Sequence, residues 1–309
     1  SSGASIAVRR INELLQKNNI ESEIITFIKN DKNLSLNIKL RSFFNRFLKK
    51  IIKIFFNINN EYSVNFNLIP SGLFNDINDS NSNIINLHWI GNEMLSIKQI
   101  SKIKKTVVWT LHDMWPYTAI ENYTDINKFN TNYAHNNNNL PFFLKYIYDL
   151  KIKNFENVKF VICTSEWQKR MVEKSLVFKK AKKIIIPLPL DFKLWSPKEK
   201  KKSKIKLNLS LDKKVILFIS SHKYTSKRKG LNFVLNYLEN SKRKDLIFLS
   251  VNCPNVKILN KNIKHINFDN IISLDERIDI YSSADLFLMP SKIESFGQTA
   301  LEAHACGCP

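Results

Sequence analysis

Two glutamates and a glycine-containing turn near the C-terminus form the pattern that most directly suggests chemistry. Residues 284–309 read ADLFLMPSKIESFGQTALEAHACGCP. This pattern predicts a short strand, a polar turn with Glu294 and Gly297, and a helix that carries Glu302. Carboxylates accept hydrogen bonds in pairs, which suits the hydroxyls of a sugar or ribose, and backbone N–H groups at a helix N-terminus suit a phosphate. The turn is therefore a candidate ligand site.

A second pattern is a cluster of cations in the loop between a predicted strand and a predicted helix. The loop reads SSHKYTSKRKG over residues 220–230, and its cations are Lys223, Lys227, Arg228 and Lys229. Such charge at the carboxyl end of a strand would neutralise a diphosphate, and the helix N-terminus would add to the attraction. A solvated basic loop is the alternative interpretation, but the position after a strand favours ligand binding.

Histidines close two predicted buried strands in the first half of the chain. His88 ends the strand at 83–89 and is followed by Trp89, and His112 ends the strand at 106–112 and is followed by Asp113 and Trp115. A single histidine at a strand end is more often structural than catalytic. Two histidines at adjacent strand ends, each near a tryptophan, indicate the wall of a pocket.

The elements that must position these residues alternate between strand and helix, which predicts an α/β fold with parallel sheets. Strands are expected at 21–27, 83–89, 106–112, 158–163, 183–187, 214–220, 246–251, 265–268 and 286–289. Helices are expected at 4–16, 40–56, 97–105, 144–155, 166–174, 231–238, 274–282 and 299–305, with a long polar loop at 122–140. Prolines 187, 189 and 197 and the lysine run 198–202 predict a linker, which gives domains at 1–195 and 196–309.

The charge of the chain is its largest compositional anomaly, with 48 basic and 27 acidic residues and a net charge of +21. Such a charge attracts nucleic acid, an anionic membrane surface or phosphorylated substrates. A lysine-rich surface that reflects only an Asn-, Lys- and Ile-rich composition is an equally strong explanation. The helix at 40–56 has an apolar stripe and a basic face, so it could lie in a membrane interface, although packing on its own domain is favoured.

Several function classes find little support in the sequence. The four cysteines form neither a disulfide framework nor a zinc pattern, which fits a reduced, cytoplasmic compartment. No run of apolar residues is long enough to span a membrane. A P-loop, a complete GxGxxG motif and an Asp-x-Asp triplet are all missing, so nucleotide hydrolysis and dinucleotide oxidoreduction are disfavoured and no metal ion is expected.

The C-terminal stretch closely resembles the donor-site motif of retaining glycosyltransferases of family 4, whose paired glutamates have the same spacing. Three further stretches resemble a subgroup of this family that builds bacterial surface polysaccharides. They read EYSVNFNLIPSGLF, NIINLHWI and TVVWTLHDMWPYT. The resemblance covers nearly the whole chain and implies the GT-B fold, two Rossmann-like domains with parallel sheets that face each other across a cleft. It also implies a further strand and loop before residue 1, and a further strand and helices after residue 309.

The resemblance implies roles for individual residues. His112 would bridge the donor sugar and the acceptor, Asp113 would orient His112 or contact an acceptor hydroxyl, and Glu294 would hold sugar hydroxyls. Donor binding would involve Gly3, Lys229, Arg228, Phe296, Gly297 and Glu302, and the pocket wall or acceptor site would involve His88, Trp89 and Trp115. Two departures stand out: Tyr224 occupies the place of the family's arginine, and residues 119–139 lack the cysteine-containing insertion of the subgroup.

The function implied is transfer of a hexose-type sugar from a nucleotide-diphosphate donor to a hydroxyl acceptor, without a metal or other cofactor. The acceptor would be a saccharide or a lipid-linked saccharide in polysaccharide biosynthesis, bound mainly by residues 1–190, and the donor would be bound mainly by residues 200–309. The enzyme would be cytoplasmic, with peripheral contact to an anionic membrane and no specific nucleic acid partner. A non-enzymatic polyanion-binding protein, or a GT-B sugar-nucleotide epimerase or phosphorylase, is the alternative.

Overall fold

The computed structural model divides the chain into two compact units, Ser1–Pro189 and Leu190–Pro309. It describes residues 3–26, 43, 46–48, 50–51, 63–220, 227–253, 256–269 and 273–309. Within these residues each unit contains one four-stranded sheet, and all the strand pairs in both sheets are parallel. The predicted α/β class with two parallel sheets is therefore confirmed.

The first unit has a sheet in which the strand order follows the chain. Its strands are β1 (Ile84–Leu87), β2 (Thr106–Thr110), β3 (Val158–Cys163) and β4 (Lys182–Ile185), in the order β1-β2-β3-β4. Its helices with both ends in the described residues are α1 (Gly3–Lys17), α2 (Leu73–Asp79), α3 (Ile97–Ile100), α4 (Ile126–Asn132), α5 (Phe142–Asn154) and α6 (Glu166–Lys174). Because β1 and β2 are parallel neighbours, the residues that follow them meet at one edge of the sheet.

An aromatic cluster fixes the turn that follows β2 onto the core of the first unit. Trp109, on β2, is almost fully buried. Its ring centroid lies 4.9 Å from that of Phe155, 5.6 Å from that of Phe178 and 6.3 Å from that of Trp115. Trp115 belongs to the turn itself, so the segment after β2 is held by the same core that holds the strand.

Three predictions for the first unit are wrong. Residues 21–26 form no strand, and Ile24 is exposed, so no buried face favours strand pairing there. The helix predicted at 97–105 ends at Ile100. The polar segment 122–140 is not a continuous loop, because α4 forms within it: the Asp125 side chain accepts from the backbone of Asn127 and Lys128, and Phe129 is fully buried.

The predicted basic helix at 40–56 lies largely outside the described residues. Residues 43, 46–48, 50 and 51 of this segment are described, and they are helical. Within the described part of the chain, no helix is long and apolar enough to cross a membrane.

The second unit has a sheet in the order β7-β6-β5-β8. Its strands are β5 (Lys214–Ile219), β6 (Leu246–Val251), β7 (Lys264–Phe268) and β8 (Leu286–Phe287), and its helices are α7 (Lys200–Lys206), α8 (Leu231–Asn240), α9 (Leu274–Ser283) and α10 (Gln298–Ala305). The chain builds outward from β5 through β6 to β7 and then returns to the other side of β5. The point between β5 and β8 is thus the topological switch point, where open α/β sheets commonly bind ligands.

The lysine run at 198–202, predicted as part of a linker, leads into α7 instead. Lys198 and Lys206 lie 3.1 Å and 2.5 Å from the carboxylate of Asp279, which is almost fully buried on α9. Ser203 also donates to Asp279, at 3.2 Å. These contacts fix α7 against α9, so the basic run is a structured face and not a solvated connection.

Candidate functional site

A small pocket lies at the carboxyl ends of β1 and β2. The structure brings together here five residues predicted from the sequence: His88, Trp89, His112, Asp113 and Trp115. The rest of the lining consists of Asn65, Ile90, Gly91, Trp109 and Pro116. Their roles in binding or chemistry stay predictions.

The two histidines of the pocket are hydrogen-bonded to each other. His88 Nδ1 lies 2.9 Å from His112 Nε2. Burial lowers the pKa of His88 to about 4. Burial, together with the charge of His88, lowers the pKa of His112 to about 3. Both rings are therefore neutral at neutral pH, and the bond between them contains one hydrogen.

Asp113 is a buried carboxylate held by neutral donors. Its Oδ1 accepts from the backbone N–H of Trp115 at 3.1 Å, and its Oδ2 accepts from the side-chain amide of Asn122. Burial raises the pKa of Asp113 to about 6, and the hydrogen bonds from Asn122 and Trp115 and the charge of Lys151 oppose that rise. The pKa of this carboxyl group is therefore raised from that of an ordinary aspartate, as is common for groups that exchange protons in catalysis.

Asn65 and Gly91 shape the same pocket and were missed by the sequence analysis. The Asn65 amide donates to the side-chain oxygen of Asn122 at 2.6 Å, and its backbone carbonyl accepts from the Trp115 indole at 2.7 Å. A Cβ at Gly91 would lie 2.5 Å from the Trp89 ring and 2.9 Å from the Asn65 amide nitrogen. In the sequence, the only indication of this close packing is that a glycine stands three residues after His88.

The second unit brings together the cationic loop and the acidic turn at the switch point. Lys229 Nζ lies 2.5 Å from Glu294 Oε2, and Arg228 Nη1 lies 3.5 Å from the same oxygen. Arg228 also donates to the carbonyl of Ile293 at 2.8 Å, and its own carbonyl accepts from the backbone N–H of Lys292 at 2.8 Å. The loops after β5 and β8, far apart in the chain, thus form one cluster of charges. Lys223 lies outside the described residues.

Glycines begin the two helices that follow these loops. Gly230 precedes α8 with φ +73°, and a Cβ there would lie 2.0 Å from the carbonyl oxygen of Pro290. Gly297 precedes α10 with φ +87°, and a Cβ there would lie 2.9 Å from the methyl carbon of Met289. Gly230 needs a residue without a side chain because the backbone of the loop after β8 lies directly against it, and Gly297 favours glycine because of its left-handed backbone conformation.

Glu302 and Phe296 occupy different positions around the acidic turn. Glu302 is buried on α10, and its Oε2 accepts from the Tyr281 hydroxyl at 2.9 Å. Burial and the negative charge of Glu302 raise the pKa of Tyr281 well above its ordinary value, so this hydroxyl stays a donor. Phe296 is half-buried beside Gly297. Tyr281 has no motif of its own, and the sequence analysis missed it.

One residue that was predicted to bind the donor substrate lies in the first unit. Gly3 is the exposed first residue of α1. The described residues contain no group of three or more His, Cys, Asp or Glu side chains arranged to hold a metal ion.

The comparison with family models concerns the second unit. Residues 213–309 match the family described as Glycosyl transferases group 1. The matched segment starts next to β5 and includes Lys229, Glu294 and Glu302. No curated protein matches the sequence.

Two solved structures illustrate the fold that this chain shares with known proteins. Sucrose-phosphate synthase from Thermosynechococcus elongatus has a TM-score of 0.62 and 16% identity, over 100% of this chain and 75% of that chain. HepE from Anabaena, in complex with UDP-glucose, has a TM-score of 0.58 and 13% identity, over 100% of this chain and 76% of that chain. At these identities the likeness establishes architecture, not substrate. The chain therefore has the GT-B fold of glycosyltransferases, and its residues 213–309 match their group 1 family.

Proposed function

We propose that the protein is a retaining glycosyltransferase of family 4 that moves a hexose-type sugar from a nucleotide-diphosphate donor to a hydroxyl acceptor. The observation that carries the proposal is the contact of Lys229 and Arg228 with Glu294 at the switch point of a segment that matches group 1 glycosyltransferases. An ammonium group and a guanidinium group suit a diphosphate, and an adjacent carboxylate suits sugar hydroxyls. One donor molecule presents both groups next to each other.

Each donor-side residue has a proposed role in this reaction. Lys229 and Arg228 stabilise the negative charge that develops on the departing diphosphate. Glu294 holds hydroxyls of the transferred sugar, and Glu302 holds hydroxyls of the nucleotide ribose. The backbone at Phe296 and Gly297 supplies N–H donors for phosphate or sugar, because it opens helix α10.

The chemistry requires a good leaving group more than a strong base. The bond between sugar C1 and the diphosphate oxygen breaks, a bond between C1 and the acceptor oxygen forms, and the acceptor proton leaves with the diphosphate. We assign His112 and Asp113 to this step, His112 at the reacting sugar and Asp113 at His112 or an acceptor hydroxyl. His88, Trp89 and Trp115 would wall the acceptor pocket, and Gly3 would belong to the donor contacts. No metal ion has a role in the proposed reaction.

The proposed substrates follow from the fold relatives and from the charge. HepE was crystallised with UDP-glucose, so UDP-sugars are the first donors to test. The acceptor would be a saccharide or lipid-linked saccharide of polysaccharide biosynthesis. A net charge of +21 supports the lipid-linked form, because it attracts the protein to an anionic membrane surface. The enzyme would then act in the cytoplasm, at the inner face of the membrane.

Calorimetric titration with UDP, and with GDP and ADP in parallel, tests the donor site. We expect one nucleotide to bind, and Glu302→Ala to weaken binding by at least about 10-fold, equivalent to about 1.4 kcal/mol. His304→Ala is the matched control, because His304 is exposed on the same helix two residues later. Binding of none of the three nucleotides would contradict the proposal.

A transfer assay tests the reaction itself. Free nucleotide should appear from the nucleotide sugar only when an acceptor saccharide is added, and the product should keep the anomeric configuration of the donor. EDTA should leave the rate unchanged. Conversion of the nucleotide sugar without an acceptor would instead favour the epimerase, and release driven by inorganic phosphate would favour the phosphorylase.

A further inference from the structure

The geometry of the His88–His112 contact identifies it as a true N–H···N hydrogen bond. The ring centres are 5.2 Å apart and the planes differ by 27°. That separation equals the N···N distance of 2.9 Å plus the distance from each ring centre to its bonded nitrogen. The two nitrogens therefore lie on the line between the ring centres, and the rings are close to coplanar. The hydrogen points along a lone pair in the plane of the accepting ring, as a strong bond requires.

This bond couples the tautomers of the two rings. Each neutral imidazole carries one hydrogen, on either Nδ1 or Nε2. If His88 donates from Nδ1, His112 carries its hydrogen on Nδ1. If His112 donates from Nε2, its Nδ1 has a lone pair and can accept. The tautomer of His88 is thus linked to whether the far nitrogen of His112 donates or accepts a hydrogen bond.

Two other polar groups near His112 in the described part of the chain make their hydrogen bonds elsewhere. The Tyr123 hydroxyl donates to the backbone carbonyl of His112 at 3.2 Å, so it fixes the main chain and not the ring. The carboxylate of Asp113, the titratable group next in the chain, accepts from Trp115 and Asn122. Burial keeps both imidazoles neutral by lowering the pKa of His88 to about 4 and that of His112 to about 3, so the coupling persists through neutral pH.

We propose that His88 is a positioning residue that fixes the tautomer and the ring orientation of His112. His112 then presents one defined nitrogen to a substrate hydroxyl, while His88 itself need not touch the reacting atoms. The catalytic part of this inference rests on the proposed function, in which His112 acts at the donor sugar. The tautomer coupling is a property of the pocket alone.

A pair of amide substitutions tests the proposal with matched chemistry. The side-chain amide of Asn reaches the position of the imidazole Nδ1, whereas that of Gln reaches the position of Nε2. Because His88 uses Nδ1, the kcat of His88→Asn should exceed that of His88→Gln by at least about 10-fold, with the same KM for the nucleotide sugar in the two variants. The control is His135→Asn, an exposed histidine at φ 65°, a conformation that Asn accepts well.

Side-chain ¹⁵N NMR of histidine-labelled protein tests the coupling without any assay of transfer. The His112 ring should show a single tautomer between about pH 5 and pH 8 in the wild type and in His88→Asn. In His88→Gln and His88→Leu it should show a mixture. If the wild type transfers no sugar, the proposed function is wrong, but these spectra still show whether His88 and His112 have coupled tautomers. An unchanged His112 tautomer in His88→Gln, or equal behaviour of the Asn and Gln variants, would overturn the inference.

Discussion

Lys151 shows how a residue outside the pocket can determine its shape. It lies on α5 with an exposed fraction of 0%. Its Nζ donates to the carbonyl oxygens of Trp115 at 2.5 Å and Thr118 at 3.0 Å, and lies 3.6 Å from the centre of the Trp115 ring. Burial lowers the pKa of Lys151 well below its ordinary value, and the carboxylates of Glu121 and Asp113 oppose this. The lysine thus holds the turn from which Trp115 contacts Asp113.

Replacing this lysine should destabilise the first unit. Lys151→Met fills a similar volume but leaves the Thr118 carbonyl without the Lys151 donor, and the Trp115 carbonyl keeps only the backbone N–H of Thr118 at 3.4 Å, so we expect a loss of about 1–3 kcal/mol in the free energy of unfolding. Urea denaturation followed by circular dichroism measures this. Lys153→Met, at an exposed position on the same helix, should change the free energy by less than about 0.5 kcal/mol. Equal losses for the two variants would contradict the assigned role.

The sequence predicts some pocket residues and misses others for a physical reason. His88 and His112 follow apolar runs, and parallel strands bring their carboxyl ends together, so local patterns suffice to place them at one edge. Asn65, Asn122 and Lys151 acquire their partners only through tertiary contacts with residues between 9 and 57 positions away. No local pattern marks them.

At the scale of elements, the helices that the sequence predicts differ from those that it misses in the contacts that stabilise them. Helices with an apolar stripe, such as α6 and α8, are visible in the sequence. The sequence of α7, KKKSKIK, has no such stripe, and its Lys206 forms ion pairs with Asp275 and Asp279 of α9. The short helix α4 depends on its Asp125 cap and one buried phenylalanine. Periodicity detects helices that are stabilised by an apolar face, and it misses those stabilised by caps and charge pairs.

The glycine that begins α8 offers a test at this scale. Gly230→Ala places a methyl group 2.0 Å from a backbone oxygen of the loop after β8 and requires alanine at φ +73°. We expect the free energy of unfolding to fall by at least about 2 kcal/mol and nucleotide affinity to fall with it, because the two loops must separate.

Gly72→Ala is the control for this substitution. No atom lies within 4 Å of a Cβ at Gly72, and its φ is −66°. Alanine there should be neutral or stabilising by up to about 1 kcal/mol. Thermal unfolding with and without UDP measures both variants. A Gly230→Ala protein as stable as Gly72→Ala would contradict the close contact between the loops.

For the whole molecule, the net charge of +21 has a consequence that can be measured directly. We expect the protein to sediment with anionic vesicles at about 0.05 M salt and to remain in solution at about 0.3 M, because salt screens the attraction. Neutral vesicles should bind none of it. If the protein does not bind anionic vesicles at low salt, the proposed contact with the membrane is wrong.

Two triple variants separate a membrane-binding segment from general charge. One replaces Lys49, Lys50 and Lys53, in the segment predicted as a basic helix, with glutamine. The other replaces Lys242, Lys244 and Lys257, which are exposed in the second unit. Both remove the same charge, so only the first should lower vesicle binding by about 10-fold if the 40–56 segment is the contact. Equal losses would indicate that charge acts without a defined surface.

The alternation of apolar runs and helices predicts two parallel sheets, but it does not predict the order of the strands. That order depends on which edges pair, which is a tertiary property. The return of β8 to the side of β5 is the clearest case, since β8 pairs with β5 over only two residues and its sequence resembles the other apolar runs.

This return has a consequence for how the second unit folds. Lys229 and Glu294 are 65 positions apart in the chain, so closing the loop between them costs about 4 kcal/mol of chain entropy. Contacts of such high sequence separation are slow to form. The chain between the two halves of the site includes β6, β7 and α9, whereas β5 and β8 are direct neighbours in the sheet, so the site depends on the long-range pairing of β5 with β8. A nucleotide that bridges both loops would act as a reversible cross-link, and its binding would slow unfolding and report the fraction of folded protein.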